Sequence, residues 1–184
     1  MLLLVLVRRF LPLILLLQAA SATEVARLSF EELADTSDLV VAGRPTRSWT
    51  AWDASHKYIW THYEVSVTSV HKGAPGSTVE LAEPGGVLDG IAMGIAGSVG
   101  YTPGEYVLVF LQRMPNGYLR TTGWGQGRYP IDAHGRIRAD SVMRGLEIVD
   151  TGTQAAASTP LTTLEGMSLN ELSRRIAART GRTR

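Results

Sequence analysis

The chain of 184 residues contains no cysteine. This absence excludes disulfide bonds, thiolate metal ligands, cysteine nucleophiles and lipid-modified cysteine anchors. A domain without such cross-links must be stabilised by its hydrophobic core. With 45% apolar and 19% charged residues, the composition is that of an ordinary globular domain with a sizeable core.

The chain also lacks an apolar run long enough to cross a membrane, because Arg8 and Arg9 interrupt the hydrophobic N-terminus. These arginines, the short apolar stretch 10–17 and the small residues that end at Ala22 are the three parts of a secretory signal peptide. We therefore expect a signal over 1–22 that is cleaved near Ala22. The mature protein is then periplasmic or extracellular, with no stable membrane span.

A strong charge of either sign is missing as well. The net charge of the whole chain is +1, and loss of two arginines with the signal leaves 16 of the 18 basic residues against 17 acidic ones. Five arginines lie in the last eleven residues, so the rest of the mature chain is acidic and unsuited to binding nucleic acid. The C-terminal arginines could contact an anionic surface or complement a helix dipole. They are Arg174, Arg175, Arg179, Arg182 and Arg184.

Two capping boxes predict two helices. Ser29 and Glu32 predict a short helix over about 30–36, and Ser168 with Glu171 predicts a second over about 169–179. The stretch rich in Thr, Ala, Gly and Ser that precedes the second helix predicts a linker. The expected organisation is a signal peptide (1–22), a β-barrel domain (23–149), and a linker with a C-terminal amphipathic helix (150–184).

The stretch 106–111 is an unbroken apolar run, Tyr-Val-Leu-Val-Phe-Leu. A Pro-Gly turn precedes it, and a second turn at 114–117 follows it. Such a run predicts a strand buried on both faces, and therefore a central strand of a closed or sandwiched sheet.

Residues 58–70 alternate in hydrophobicity instead. Ile59 and Tyr63 fall on one face of the predicted strand, and Trp60 and His62 fall on the other. Further short strands are expected over 39–43, 78–82, 118–122 and 128–131.

Pro45 restricts the second half of the strand that begins at residue 39 to a sheet edge or a bulge. Residues 49–56, which follow, are expected to form a loop or the tip of a hairpin. The alternating pattern of the next strand begins beyond them.

Three segments occur in the order seen in netrin-like domains, and the chain resembles that group. They are 37–44 (SDLVVAGR), 63–73 and 104–111 (GEYVLVFL). The resemblance extends to uncharacterised exported bacterial proteins that share the later sequence GQGRY at 125–129. It implies a mainly β fold: a small closed or partly open OB-like (netrin-like) barrel with a short N-terminal helix and a C-terminal helix.

Netrin-like domains include the tissue inhibitors of metalloproteinases. Those inhibitors depend on disulfides and on a mature N-terminal cysteine that chelates the zinc of the protease. This chain has no cysteine, so that inhibitory chemistry does not carry over.

Several aromatic residues cluster near the predicted hairpin, and His62 extends the face that carries Trp60. On an OB-type surface such side chains can stack on sugars or bases, or they can cover the end of the barrel. The binding residues expected here are Trp49, Trp52, Trp60 and His62.

The segment 85–100 is too rich in glycine for a helix and too apolar for an ordinary solvated loop. It lacks the Gly-Lys-Ser/Thr sequence of a phosphate-binding loop. Two interpretations remain open: it covers the core between strands, or it offers an adaptable apolar contact surface. In the second case Ile91, Met93 and Ile95 are the contact residues.

Enzyme signatures are weak. His62 and Glu64 project to one face of the predicted strand and could form a metal-dependent hydrolase site with a third residue. However, the four histidines lack zincin spacing, and no Gly-x-Ser-x-Gly motif occurs. We therefore predict a non-enzyme with no catalytic residues, no metal site and no cofactor, and the hydrolase is kept as an alternative.

The function that the sequence favours is an exported binding module. It would engage an extracytoplasmic protein through its barrel loops, and a protease is one candidate for that partner. A glycan-binding barrel that uses Trp49, Trp52 and Trp60 is the other alternative.

Overall fold

A computed structural model describes residues 24–139, 147–149 and 164–180 of the protein. The predicted signal peptide and most of the predicted linker lie outside the described residues. The elements, in chain order, are β1 (Glu24–Ala26), α1 (Phe30–Thr36), β2 (Leu39–Trp52), β3 (Ile59–Lys72), β4 (Thr78–Pro84), β5 (Gly86–Leu88), β6 (Ile91–Met93), β7 (Val107–Arg113), β8 (Leu119–Thr121), β9 (Arg128–Pro130), β10 (Glu147–Val149) and α2 (Leu169–Thr180).

The main sheet is antiparallel and has the strand order β4-β3-β2-β7-β8. Strand β8 pairs with the C-terminal part of β7, and β9 pairs with its N-terminal part. The sheet curls so that β4 and β8, its first and last strands, lie close together. No backbone ladder joins these two strands in the described part of the chain. The mainly β prediction with two flanking helices is confirmed, and the barrel is OB-like and partly open.

Strand β7 is buried on both faces, as its unbroken apolar sequence predicted. Leu108 and Phe110 face a helix-side core, whereas Val107, Val109 and Leu111 face the barrel interior. The helix-side core also contains Phe30, Leu33, Val40, Tyr129, Ile137, Leu172 and Ile176. The barrel interior also contains Val41, Tyr63, Val65, Val79, Leu81, Val99 and Tyr101.

The β2–β3 hairpin is longer than the sequence indicated. Trp49 pairs with His62 and Trp52 pairs with Ile59, so the prediction of a loop over 49–56 is wrong for residues 49–52. These residues extend the strand because the alternating β3 sequence offers them a pairing partner. The prediction for Pro45 is confirmed: β7 pairs with β2 only as far as Gly43, and a bulge lies between Pro45 and Arg47.

The two helices cover the outer side of β2, β7 and β9. The capping box at α1 is confirmed: Glu32 N–H donates to Ser29 Oγ at 3.2 Å, and Ser29 N–H donates to Glu32 Oε2 at 2.7 Å. Arg175 and Arg179 of α2 pair with acidic residues of α1, so these two C-terminal arginines have partners within the chain. A one-turn 3-10 helix also lies between β8 and β9, at Trp124–Gly127. No helix among the described residues has the length and apolarity needed to cross a membrane.

Candidate functional site

Helix α2 reaches the C-terminal end of β3, where His71 Nδ1 lies 2.7 Å from Ser173 Oγ. The outer face of the first half of β3 and of the second half of β2 lies beyond that contact. On this face, seven side chains from four parts of the chain touch one another in a row. We call this row the aromatic band: Arg47, Trp49, His62, Tyr118, Trp60, Arg120 and Trp124.

His62 lies in the middle of the aromatic band and is only 6% exposed. Its ring stacks on Trp49 with centroids 5.3 Å apart and an interplanar angle of 11°. The Tyr118 ring meets it edge-on at 5.2 Å. His62 Nδ1 is 2.9 Å from Glu80 Oε1, and this hydrogen bond orients the imidazole. The sequence placed His62 on the polar face of its strand, and its burial there comes from neighbours on β2, β4 and the β7–β8 turn.

The other half of the aromatic band is organised around Arg120. Its guanidinium carbon lies 4.3 Å from the ring centroid of Trp124 and 5.9 Å from that of Trp60. Trp60 in turn packs edge-on against Tyr118 at 5.1 Å. Cation–π attraction draws each guanidinium to a ring face and restricts its motion, so the side chains of the band are held in place before a partner binds.

The three tryptophans expected at one site lie on two faces of the hairpin. Successive side chains of a strand alternate, so Trp49 and Trp60 share the outer face and Trp52 lies on the opposite one. Trp52 Nε1 donates to Asp89 Oδ2 at 3.4 Å, which attaches the hairpin tip to the β5–β6 hairpin. The structure therefore brings Trp49, Trp60 and His62 together and separates Trp52 from them.

Part of the glycine-rich segment 85–100 is exposed, and part of it packs against the barrel. Its β5–β6 hairpin lies over the inner face of β2, where Thr50 Oγ1 donates to the Val87 carbonyl at 2.9 Å. Val87 is 64% exposed and Ile91 is 50% exposed, whereas Val99 is buried in the barrel interior.

The other two residues expected in this loop, Met93 and Ile95, line a cleft of about 250 Å³ between the hairpin and the barrel. Tyr63 and Glu83 lie at the barrel side of this cleft. The cleft is small beside the usual range of about 300–1,000 Å³ for ligand pockets, and is closer in size to a socket for one side chain.

His62 and Glu64 do not converge. The Glu64 carboxylate is 3.1 Å from the Arg47 guanidinium and also accepts a hydrogen bond from Thr46. His62 bonds to Glu80 instead. In the described part of the chain, no three histidine, aspartate or glutamate side chains are grouped as a metal ion would require.

Sequence reasoning missed a buried polar group at the seam between β4 and β8. Glu83 is 1% exposed, and its Oε1 accepts a hydrogen bond from the backbone N–H of Thr121. Its Oε2 lies 3.5 Å from Arg120 Nε, an ion pair whose geometry does not qualify as a hydrogen bond. Burial raises the pKa of Glu83, outweighing the opposite effect of Thr121 and Arg120. The sequence did contain a sign that Glu83 is buried, because period-two alternation places it on the same face as Val79 and Leu81.

The segment 125–129, which the chain shares with the bacterial proteins it resembles, makes contacts that stabilise the fold. The Gln126 amide accepts from Leu28 N–H and donates to the Ala26 carbonyl, both at 2.8 Å, which attaches the N-terminal segment. Arg128 forms a buried ion pair with Glu105 at 2.6 Å. Tyr129 packs against Phe110 in the helix-side core.

Comparison with known proteins assigns no family to the chain. No protein-family model matches it, and no curated protein matches it. The resemblance to netrin-like domains therefore stays a proposal, and function is inferred from the geometry of the aromatic band and its neighbours.

Proposed function

We propose that the protein is an exported, non-enzymatic binding module that engages an extracytoplasmic protein through the aromatic band and the adjoining barrel loops. The observation that carries the proposal is the band itself: three tryptophans, one tyrosine and two arginines on one outer face that no described helix covers. Tryptophan, tyrosine and arginine are the residue types most enriched among the energetically dominant residues of protein interfaces.

Ring geometry favours a protein partner over a glycan. A sugar stacks on the flat face of an aromatic ring, which must be open to receive it. Arg47 lies over the Trp49 ring at 4.7 Å and His62 stacks against that ring, so its flat surface is already occupied. The ring edges and the exposed Arg47 side chain remain for contact, and these suit the irregular surface of a protein.

The β5–β6 hairpin extends the proposed surface. Exposed Val87 and Ile91 present apolar side chains at the same end of the barrel as the tip of the β2–β3 hairpin. The cleft lined by Met93 and Ile95 lies beside them and could receive one apolar side chain of the partner. The aromatic band and the β5–β6 hairpin lie on opposite faces of the β2–β3 hairpin, so a partner that contacts both would bind around its tip.

A protease is one candidate partner, on the basis of the resemblance to netrin-like domains. Inhibition by a zinc-chelating N-terminal cysteine is excluded, because the chain has none. Any protease contact would therefore depend on side-chain packing at the aromatic band and the hairpin.

The test is capture of a partner from the extracytoplasmic fraction of the producing cell by the immobilised protein. Trp49→Ala and Trp60→Ala alter the aromatic band. Val70→Ala is the control, because it truncates an exposed apolar side chain of β3 at the end of the strand remote from the band. We expect a captured protein whose affinity falls by roughly 30-fold or more in the two band variants, as for dominant interface residues. Equal capture by all four proteins would contradict the proposal, and so would an oligosaccharide that alters tryptophan fluorescence only in the unmodified band.

A further inference from the structure

Strand β2 has a free edge over its second half. The strand is 14 residues long, but β7 pairs only with Leu39–Gly43 on that side. Gly104 N–H then donates to the Pro45 carbonyl at 2.8 Å. From residue 46 to residue 52, no described residue forms a backbone hydrogen bond on this side of β2.

The backbone groups that point to this edge follow from the register of the hairpin. Asp53 N–H donates to the Tyr58 carbonyl, which makes these two residues a hydrogen-bonded pair. Hydrogen-bonded pairs alternate with non-hydrogen-bonded pairs along an antiparallel ladder, and no bulge interrupts residues 47–52. Ser48, Thr50 and Trp52 therefore direct their N–H and C=O groups away from β3, toward the free edge.

This part of the edge has none of the usual protection. Natural sheet edges carry prolines, charges or bulges that prevent pairing with another chain. Here Arg44, Pro45, Arg47 and the adjacent bulge protect only the first half of the strand. The sequence that follows, Ser-Trp-Thr-Ala-Trp at 48–52, is uncharged and rich in residues that favour strands.

We propose that two copies of this chain pair antiparallel through the free edge of β2, with the two-fold axis at Thr50. This register places Ser48 of each copy opposite Trp52 of the other, so that all the outward backbone groups find partners. The same register brings Arg47 of one copy near Asp53 of the other, twice, although each already has partners in its own chain. Charges of opposite sign therefore meet there, and no like charges oppose the pairing. The edge is therefore complementary to itself, which identifies a second copy as its occupant.

Pairing of this kind joins the two sheets into one. The residues opposite each other across an antiparallel pair point to the same face, so Trp49 of both copies lies on the same outer face. The dimer then carries two aromatic bands on one continuous surface, which favours a partner with repeated sites. Self-association stands independently of what the band binds.

The experiment is sedimentation equilibrium of the mature chain at concentrations up to about 100 µM, where dimers of micromolar Kd are populated. Thr50→Glu and Thr50→Lys each place two like charges across the proposed axis, and both lose the same hydrogen bond to Val87. Each is thus the matched control of the other. We expect a dimer for the natural sequence, self-association weakened by at least about tenfold in each variant, and restored dimers in an equal mixture of the two.

Ser48→Pro provides a second variant, because it removes an outward N–H and leaves the β3 ladder intact. It is expected to be a folded monomer by circular dichroism. A natural chain that stays monomeric, a dimer that persists in either Thr50 variant, or a mixture that does not dimerise would overturn the proposal.

Discussion

The Glu83 carboxylate accepts a hydrogen bond from the Thr121 backbone N–H at 2.8 Å, across the seam where β4 and β8 lie side by side without a described ladder. A side chain thus takes the place of a backbone carbonyl in joining the two ends of the sheet. Thr121 also forms a short hydrogen bond through its Oγ1 to the Tyr101 hydroxyl, at 2.5 Å. The seam is closed by polar groups inside an otherwise apolar barrel, which makes it sensitive to substitution.

Replacement of Glu83 should be strongly destabilising, and the size of the effect should depend on the acceptor. Glu83→Ala leaves the Thr121 N–H unsatisfied and Arg120 without its counter-ion, so we expect a loss of about 3 kcal/mol or more in the free energy of unfolding. Glu83→Gln retains an acceptor of the same shape and should cost about 1 kcal/mol. Urea unfolding measures both. Equal losses would show that the carboxylate does not close the seam.

The raised pKa of Glu83 predicts a pH dependence of stability. Above the ordinary glutamate pKa of 4.5, the unfolded chain releases the proton that folded Glu83 retains. The folded state then binds more protons, so the contribution of Glu83 to the free energy of unfolding decreases as pH rises from 4.5 through the folded pKa. The free energy of unfolding of the natural chain minus that of Glu83→Gln should therefore decrease as the pH rises from about 4 to 8. A flat difference would contradict the raised pKa.

Gly127 should not tolerate a side chain. A Cβ at this position would lie 2.6 Å from the Thr122 carbonyl oxygen and 3.0 Å from that of Phe110. Because both are backbone atoms that cannot rotate away, Gly127→Ala should cost about 2 kcal/mol or more. Gly100→Ala is the control, since a Cβ there meets nothing within 4 Å. Thermal unfolding that shows the same change for both variants would count against this packing.

Lys72 should contribute more to stability than a neighbouring exposed ion pair. Its Nζ donates to the carbonyls of Ala34 and Ser37, each at 2.6 Å, and so caps the C-terminal end of α1, which has no basic residue in its last turn. Lys72→Met should cost about 2 kcal/mol, because charged hydrogen bonds are lost and the carbonyls stay partly buried.

The comparison variant is Asp35→Asn, which breaks the ion pair with Arg179. Arg179 lowers the pKa of the Asp35 carboxyl, chiefly by hydrogen bonding. Both side chains are substantially exposed, so the loss should be smaller and should disappear at high salt. Urea unfolding measures both variants. A larger loss in the free energy of unfolding for Asp35→Asn than for Lys72→Met would contradict the prediction.

Local patterns predicted the elements that are stabilised by local rules. The two faces of β7 could be inferred from an unbroken apolar run, and the start of α1 from its capping box. The face of Trp52 could not be inferred, because the length of β2 depends on pairing with residues of β3. The turn-forming residues Asp53 and Ser55 follow directly, and the local sequence does not show where the strand ends and the turn begins.

Much of the aromatic band could not be predicted from the sequence, for a different reason. Trp49, Trp60 and His62 could be expected near one hairpin, but Tyr118, Arg120 and Trp124 reach them only because the barrel curls β8 back toward β4. Contacts between residues some sixty positions apart follow from closure of the sheet, and no local period records them.

The claim that the aromatic band binds an extracytoplasmic protein is tested most directly by site-specific photo-crosslinking in the producing cell. A benzophenone side chain at Asn116 or Met114 borders the band, whereas one at Arg174 lies on the exposed side of α2. We predict a crosslinked protein of the same mass from both positions beside the band, and none of that mass from position 174. The same products from all three positions, or products from position 174 alone, would contradict the account.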